Sequence, residues 1–121
     1  MKKIVTVTEV EGQGDSVSDT FNLVRLAFEG FGYRVLARPD PQDNECDMYV
    51  VGLRRTAKIE IKVVRELSNG TWQAAPITER QRRCDICAVV LPNNQVFLER
   101  MDDYLLCCSD AGYRAFTWLK L

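Results

Sequence analysis

Asp47, Glu60 and Lys62 are the residues of this 121-residue chain whose types and spacing best suit chemistry. Glu60 and Lys62 lie two apart in the alternating segment Ala57-Lys58-Ile59-Glu60-Ile61-Lys62-Val63-Val64, which reads as a strand, so they share a face. Asp47 heads the apolar run Met48-Tyr49-Val50-Val51, and a turn over Gly52 to Thr56 folds that run back onto the Glu60 strand as an antiparallel hairpin. Two carboxylates meeting at one point suit Mg²⁺, a hard cation that takes oxygen ligands in an octahedron and keeps several waters. Such an ion polarises a phosphoryl oxygen and promotes attack by water. Lys62 can orient or help deprotonate that water, and can neutralise charge that develops on the phosphate.

The absence of histidine narrows the alternatives. It removes Ser-His-Asp and Cys-His catalysis and every His-ligated zinc hydrolase. Of the five cysteines, an odd count argues against a closed disulfide framework. Cys84-x-x-Cys87 has a zinc-like spacing, but it runs into the strand Asp85 to Leu91, where residues three apart face opposite ways. Buried thiols are the simpler reading. Net charge is −1, which carries no general nucleic-acid signal. Basic residues nevertheless cluster as Arg54, Arg55 and Lys58, and as Arg80, Arg82 and Arg83. The second group could hold phosphates; a solvated surface is the alternative. Trp72 is a packing residue or a base-stacking one, and Asp85 reads as a structural strand head.

The elements that must position these residues follow from periodicity. Residues 3–10 are β-branched and partly alternating, a first strand. Val17, Phe21, Val24, Phe28 and Phe31 form one helical stripe over residues 16–31, opened by Ser16 and Asp19 in a capping-box arrangement and closed by Gly30 and Gly32. A short strand over Tyr33 to Ala37 precedes a polar loop, and the hairpin follows it. Then come a loop from Leu67 to Ala75, a short helix from Pro76 to Arg83, and the strand Asp85 to Leu91. Asn93-Asn94 turns into a strand from Gln95 to Glu99; a helix over Met101 to Cys107 and a last strand over Tyr113 to Leu121 complete the chain. The expected architecture is α/β (α+β): a central mixed β-sheet flanked by helices, in a single domain over residues 1–121. No apolar run approaches the ~20 residues of a membrane span, and Glu9 and Glu11 interrupt any signal-like core, so a cytoplasmic location is expected.

The ordered set of helix, Asp47, Ile59-Glu60-Ile61-Lys62, short helix with Gln81, and apolar strand 85–92 resembles the PD-(D/E)xK nuclease superfamily, over about residues 16 to 106. The resemblance implies a restriction-endonuclease-like fold and a Mg²⁺-dependent DNA endonuclease, with Mn²⁺ able to substitute. It implies Asp47, Glu60, Lys62 and Gln81 as catalytic residues, a metal held by Asp47, Glu60 and Ile61, and DNA contacts from Arg80, Arg82 and Arg83. The sequence departs from the pattern in that Cys46, not Pro, precedes Asp47. The literal Pro39-Asp40 pair lies in the polar loop, and Asp43 and the helix residue Asp19 are further acidic candidates. Gln81 also has a local explanation, a capping box with Thr78. Cutting both strands of a duplex with one site per chain implies a homodimer. A nuclease-fold module that binds DNA or a protein without cutting is the alternative function.

Overall fold

A computed structural model describes residues 2–7, 16–37 and 46–119. A six-stranded mixed sheet runs through it in the order β1-β8-β7-β4-β3-β2. Its strands are β1 (Lys2–Thr6), β2 (Arg34–Ala37), β3 (Met48–Val51), β4 (Thr56–Val63), β7 (Ile86–Leu91) and β8 (Gln95–Arg100). Only β4 and β7 pair in parallel; the other neighbours are antiparallel. A small second sheet, β5 (Arg65–Glu66), β6 (Trp72–Ala74) and β9 (Arg114–Ala115), has the order β5-β6-β9.

The sheet separates two cores, and strand alternation decides which residue enters which. On one face, Ala57 and Ile59 of β4, Met48 and Val50 of β3, and Ala88 of β7 pack against helix α1 (Ser16–Glu29). That helix exists to cover this face: Leu23, Val24, Ala27 and Phe28 are buried along it. Its stop is built by Gly32, whose φ of +90° lets Tyr33 N–H bond back to the Phe28 carbonyl, a Schellman-type closure. The helix therefore ends before Phe31, which the sequence pattern placed in the stripe and which is 45 % exposed. On the other face, Cys87, Val89, Leu91 and Phe97 pack against α2 (Met101–Leu106) and the second sheet, with Tyr104 and Phe116 at the centre.

Two expected elements are shorter than their sequence suggests. The helix expected over Pro76 to Arg83 is a single 3₁₀ turn, Gln81–Arg83, because Cys84 turns extended at ψ 153° so that Asp85 can pair with β4. The strand expected over Tyr113 to Leu121 is only Arg114–Ala115. Phe116 N–H reaches the Trp72 carbonyl and Leu119 N–H then turns back to Phe116. The expected first-strand residues Thr8 to Val10 lie outside the described residues. Asn93 and Asn94 turn β7 into β8 with φ of 63° and 59°, a left-handed conformation that Asn tolerates better than most residues.

Candidate active site

The β3–β4 hairpin sets the geometry. Met48 pairs with Ile59, so the next step along the ladder puts Asp47 across from Glu60. Asp47 N–H donates to the Ile59 carbonyl at 2.9 Å, and the Asp47 carboxylate accepts the Ile61 N–H through Oδ2 at 2.8 Å. Asp47 thus extends the hairpin by one residue with its side chain in place of a ladder carbonyl. Ile59 and Ile61 point into the α1 core, so Glu60 and Lys62 project from the opposite face. Lys62 Nζ stands 3.9 Å from Glu60 Oε2 and donates to the Pro76 carbonyl at 3.2 Å.

Glu60 is far less accessible than a residue of an open cleft, at 4 % exposure, whereas Asp47 is exposed. Burial, then the neighbouring Asp47 charge, push the Glu60 carboxyl from 4.5 up to about 8; Lys62 opposes the shift and a hydrogen bond with Asp47 adds to it. At neutral pH the Glu60 carboxyl therefore holds its proton, beside the Asp47 carboxylate. Cys84, behind them, is also buried, and its thiol is pushed up by that burial and by the negative charge of Glu60 and Asp47. Burial likewise raises the Cys87 thiol, to about 12. In the metal-free chain both therefore stay protonated at neutral pH.

This proton has a measurable consequence. Unfolding returns Glu60 to its ordinary range near 4.5, so the folded chain binds the proton more tightly. In chelator, stability should be greatest near pH 5 and fall as pH rises toward 8, and Glu60→Gln should flatten that slope. Urea midpoints at pH 5.5 and 8 in EDTA provide the check. A cation bound between these carboxyls would have to displace the same proton, so any Mn²⁺ affinity of the pair should rise with pH and level off above about 8.

The other sequence candidates divide. The Ile61 side chain belongs to the α1 core, which leaves only its main-chain carbonyl as a metal ligand. Gln81 Oε1 accepts the Thr78 N–H at 3.0 Å and Thr78 Oγ1 accepts the Gln81 N–H at 3.3 Å, a reciprocal capping box. If capping is its whole role, Gln81→Ala should cost about 1 kcal/mol of stability and change cleavage only a few-fold. A loss as deep as that of Lys62→Ala would instead put Gln81 in the reaction. Arg80, Arg82 and Arg83 are exposed around the 3₁₀ turn, on the stretch that follows Pro76. Asp85 is structural: its Oδ2 accepts the Lys58 N–H and its backbone ties β4 to Met101. Asp40, Asp43 and the side chain of Asp19 lie outside the described residues. No group of three or more His, Cys, Asp or Glu side chains forms a metal cluster among the described residues. Among the described residues, Asp47 and Glu60 are the two carboxyls that meet here, a set that could hold only an ion that fills most of its shell with water or substrate oxygen.

Sequence reasoning missed the nearest buried charges. Cys87 pairs with both Glu60 and Glu99, so the three sit in one cross-strand row. Glu99 is buried and bound to Arg114 at 2.8 Å, and the same guanidinium nitrogen donates to the Tyr104 carbonyl at 3.0 Å. Phe97, Tyr104 and Phe116 surround the Arg114 guanidinium at 4.9–5.6 Å from their ring centres. The signal was available: Glu99 shares strand parity with apolar Phe97, and Arg114 stands two residues from Phe116.

Among solved structures, the bacterial homing endonuclease I-Ssp6803I superposes with a TM-score of 0.70 over 90 % of this chain and 80 % of its own, at 10 % sequence identity. This chain shares the fold of that endonuclease. No family model matches the sequence, and no curated protein matches it. At that identity the likeness is one of architecture, so the chemistry has to be argued from this chain's own residues. No helix of the described residues is long and apolar enough to cross a membrane.

Proposed function

We propose that this chain is a metal-dependent DNA endonuclease that hydrolyses phosphodiester bonds at the Asp47–Glu60–Lys62 cluster. The observation that carries the reading is that the buried Glu60 carboxyl lies across the hairpin from the Asp47 carboxylate with the Lys62 ammonium 3.9 Å from it, in a fold shared with a homing endonuclease. Asp47, Glu60 and the Ile61 carbonyl would hold Mg²⁺, with Mn²⁺ as a substitute, and the ion would supply Lewis-acid polarisation of the phosphoryl oxygen. Asp47 keeps its position because one oxygen is fixed on the Ile61 N–H, leaving the other for ligation. Glu60 would serve as a ligand in its deprotonated form. Lys62 is held over the pair by the Pro76 carbonyl, where its remaining N–H groups can orient water and meet charge on the phosphate. Arg80, Arg82 and Arg83 offer exposed cations for phosphates beyond the cut. Cutting a duplex would bring two chains together, as a homodimer.

The test is a cleavage assay on supercoiled, linear, branched and single-stranded DNA, each in Mg²⁺, Ca²⁺ and EDTA. The expected result is cleavage of at least one form in Mg²⁺ and none in EDTA. Tight DNA binding with no cleavage of any form in Mg²⁺ or Mn²⁺ would support a non-cutting nuclease-fold module instead.

A further inference from the structure

A concave site lies on the face of the sheet opposite the carboxylates. It is a cavity of about 640 Å³, inside the ~300–1,000 Å³ range of small-molecule sites. Val50, Ala57 and Leu98 form its floor and Phe28, Phe31 and Tyr33, at the end of α1, form its aromatic wall. Tyr33 packs edge-on against Phe28 at 6.3 Å. Gly52 makes room for this wall: a Cβ there would come within 2.9 Å of Tyr33 Cε1. Four cations stand at the rim, Lys3, Arg54, Arg55 and Arg100, all exposed. Lys3 Nζ sits 4.6 Å from the centre of the Phe31 ring. No ion pair of Arg54, Arg55 or Arg100 is found among the described residues. Glu99 is the acidic residue along the lining, and its carboxylate is already held by Arg114.

We infer that this cavity binds a small anion with a planar aromatic body. The half-exposed rings Phe31 and Tyr33 offer stacking surface that the fold leaves open. The rim offers four positive charges with no described carboxylate to neutralise them, so an anionic group is favoured and a cationic or neutral ligand is not. A nucleoside monophosphate and an aryl carboxylate share this chemistry. The site owes nothing to Asp47, Glu60 or Lys62, which face the other way.

Anilinonaphthalene sulfonate is a suitable probe for the folded full chain at low salt. Its fluorescence should report one saturable site, with affinity falling as salt is added. Arg54→Glu with Arg55→Glu should weaken binding about tenfold or more by reversing two rim charges. Phe31→Ala should weaken it independently, and Lys62→Ala should leave it unchanged, which separates this site from the cleavage reading. Displacement by adenosine monophosphate assigns a nucleotide ligand, and displacement by naphthoate alone assigns an aryl carboxylate. Inorganic phosphate should displace nothing. No saturable binding, uptake at many sites, or affinity indifferent to the Arg54, Arg55 and Phe31 changes would overturn the inference.

Discussion

Lys62→Ala is expected to lower single-turnover DNA cleavage in Mg²⁺ by about a thousandfold while DNA binding in Ca²⁺ stays within a few-fold of the parent. The reason is where Lys62 stands. Its ammonium lies 3.9 Å from Glu60 Oε2 and is braced on the Pro76 carbonyl, so it contributes positive charge and N–H donors above the carboxyl pair without being a metal ligand itself. Asp47→Ala and Glu60→Ala should lose as much cleavage and should also lose Mn²⁺ binding, because each removes one of two side-chain oxygen ligands. Losses from residues that act as one unit do not add. The Glu60→Ala/Lys62→Ala double variant should therefore be scarcely slower than either single variant. Multiplying losses, or a Lys62→Ala enzyme of full rate, would mean that the cluster is not the reacting unit.

The second large effect is on stability. Arg114→Ala and Glu99→Ala should each destabilise the chain by about 3–5 kcal/mol, since each leaves the partner charge buried and unpaired. That is a large part of the ~5–15 kcal/mol of a typical domain. Arg114 also packs its guanidinium among Phe97, Tyr104 and Phe116, so the truncation removes contacts from the centre of the second core as well. A paired replacement, Glu99→Leu with Arg114→Met, should cost much less than the sum of the single changes. Urea denaturation of the four proteins at one pH gives the coupling. Single variants that lose under 1 kcal/mol would show that water reaches this pair.

Patterns governed by local periodicity were legible in the sequence. The two-residue repeat of β4 places Ile59 and Ile61 inward on one face and Glu60 and Lys62 on the other, and the hairpin brings Asp47 to Glu60. The α1 stripe and the Asn93-Asn94 turn are likewise local signals. What depended on tertiary partners was not legible. The Pro76–Gln81 stretch has the composition of a helix start, yet its conformation answers to Lys62 at the Pro76 carbonyl and to Asp85 on β4. The C-terminal stretch is set by one buried ion pair and by the Trp72 carbonyl, both remote in sequence. The depth of Glu60 was hidden for the same reason: neighbours contributed by β7 and by Cys84 bury it, and alternation alone says which face a side chain takes but not what covers that face.

The pH behaviour and the proposed metal site both follow from a buried carboxyl facing a second carboxylate. On that proposal, a cation between them would replace the Glu60 proton and turn a destabilising pair into a binding site. The most direct test is a crystal grown with Mn²⁺ at the concentration that supports cleavage, with anomalous differences recorded near the manganese edge. The predicted result is one strong peak about 2.1 Å from an oxygen of both Asp47 and Glu60, absent in Glu60→Gln. An actively cleaving protein whose manganese peak lies elsewhere, or whose Asp47–Glu60 pair stays empty, would contradict the account.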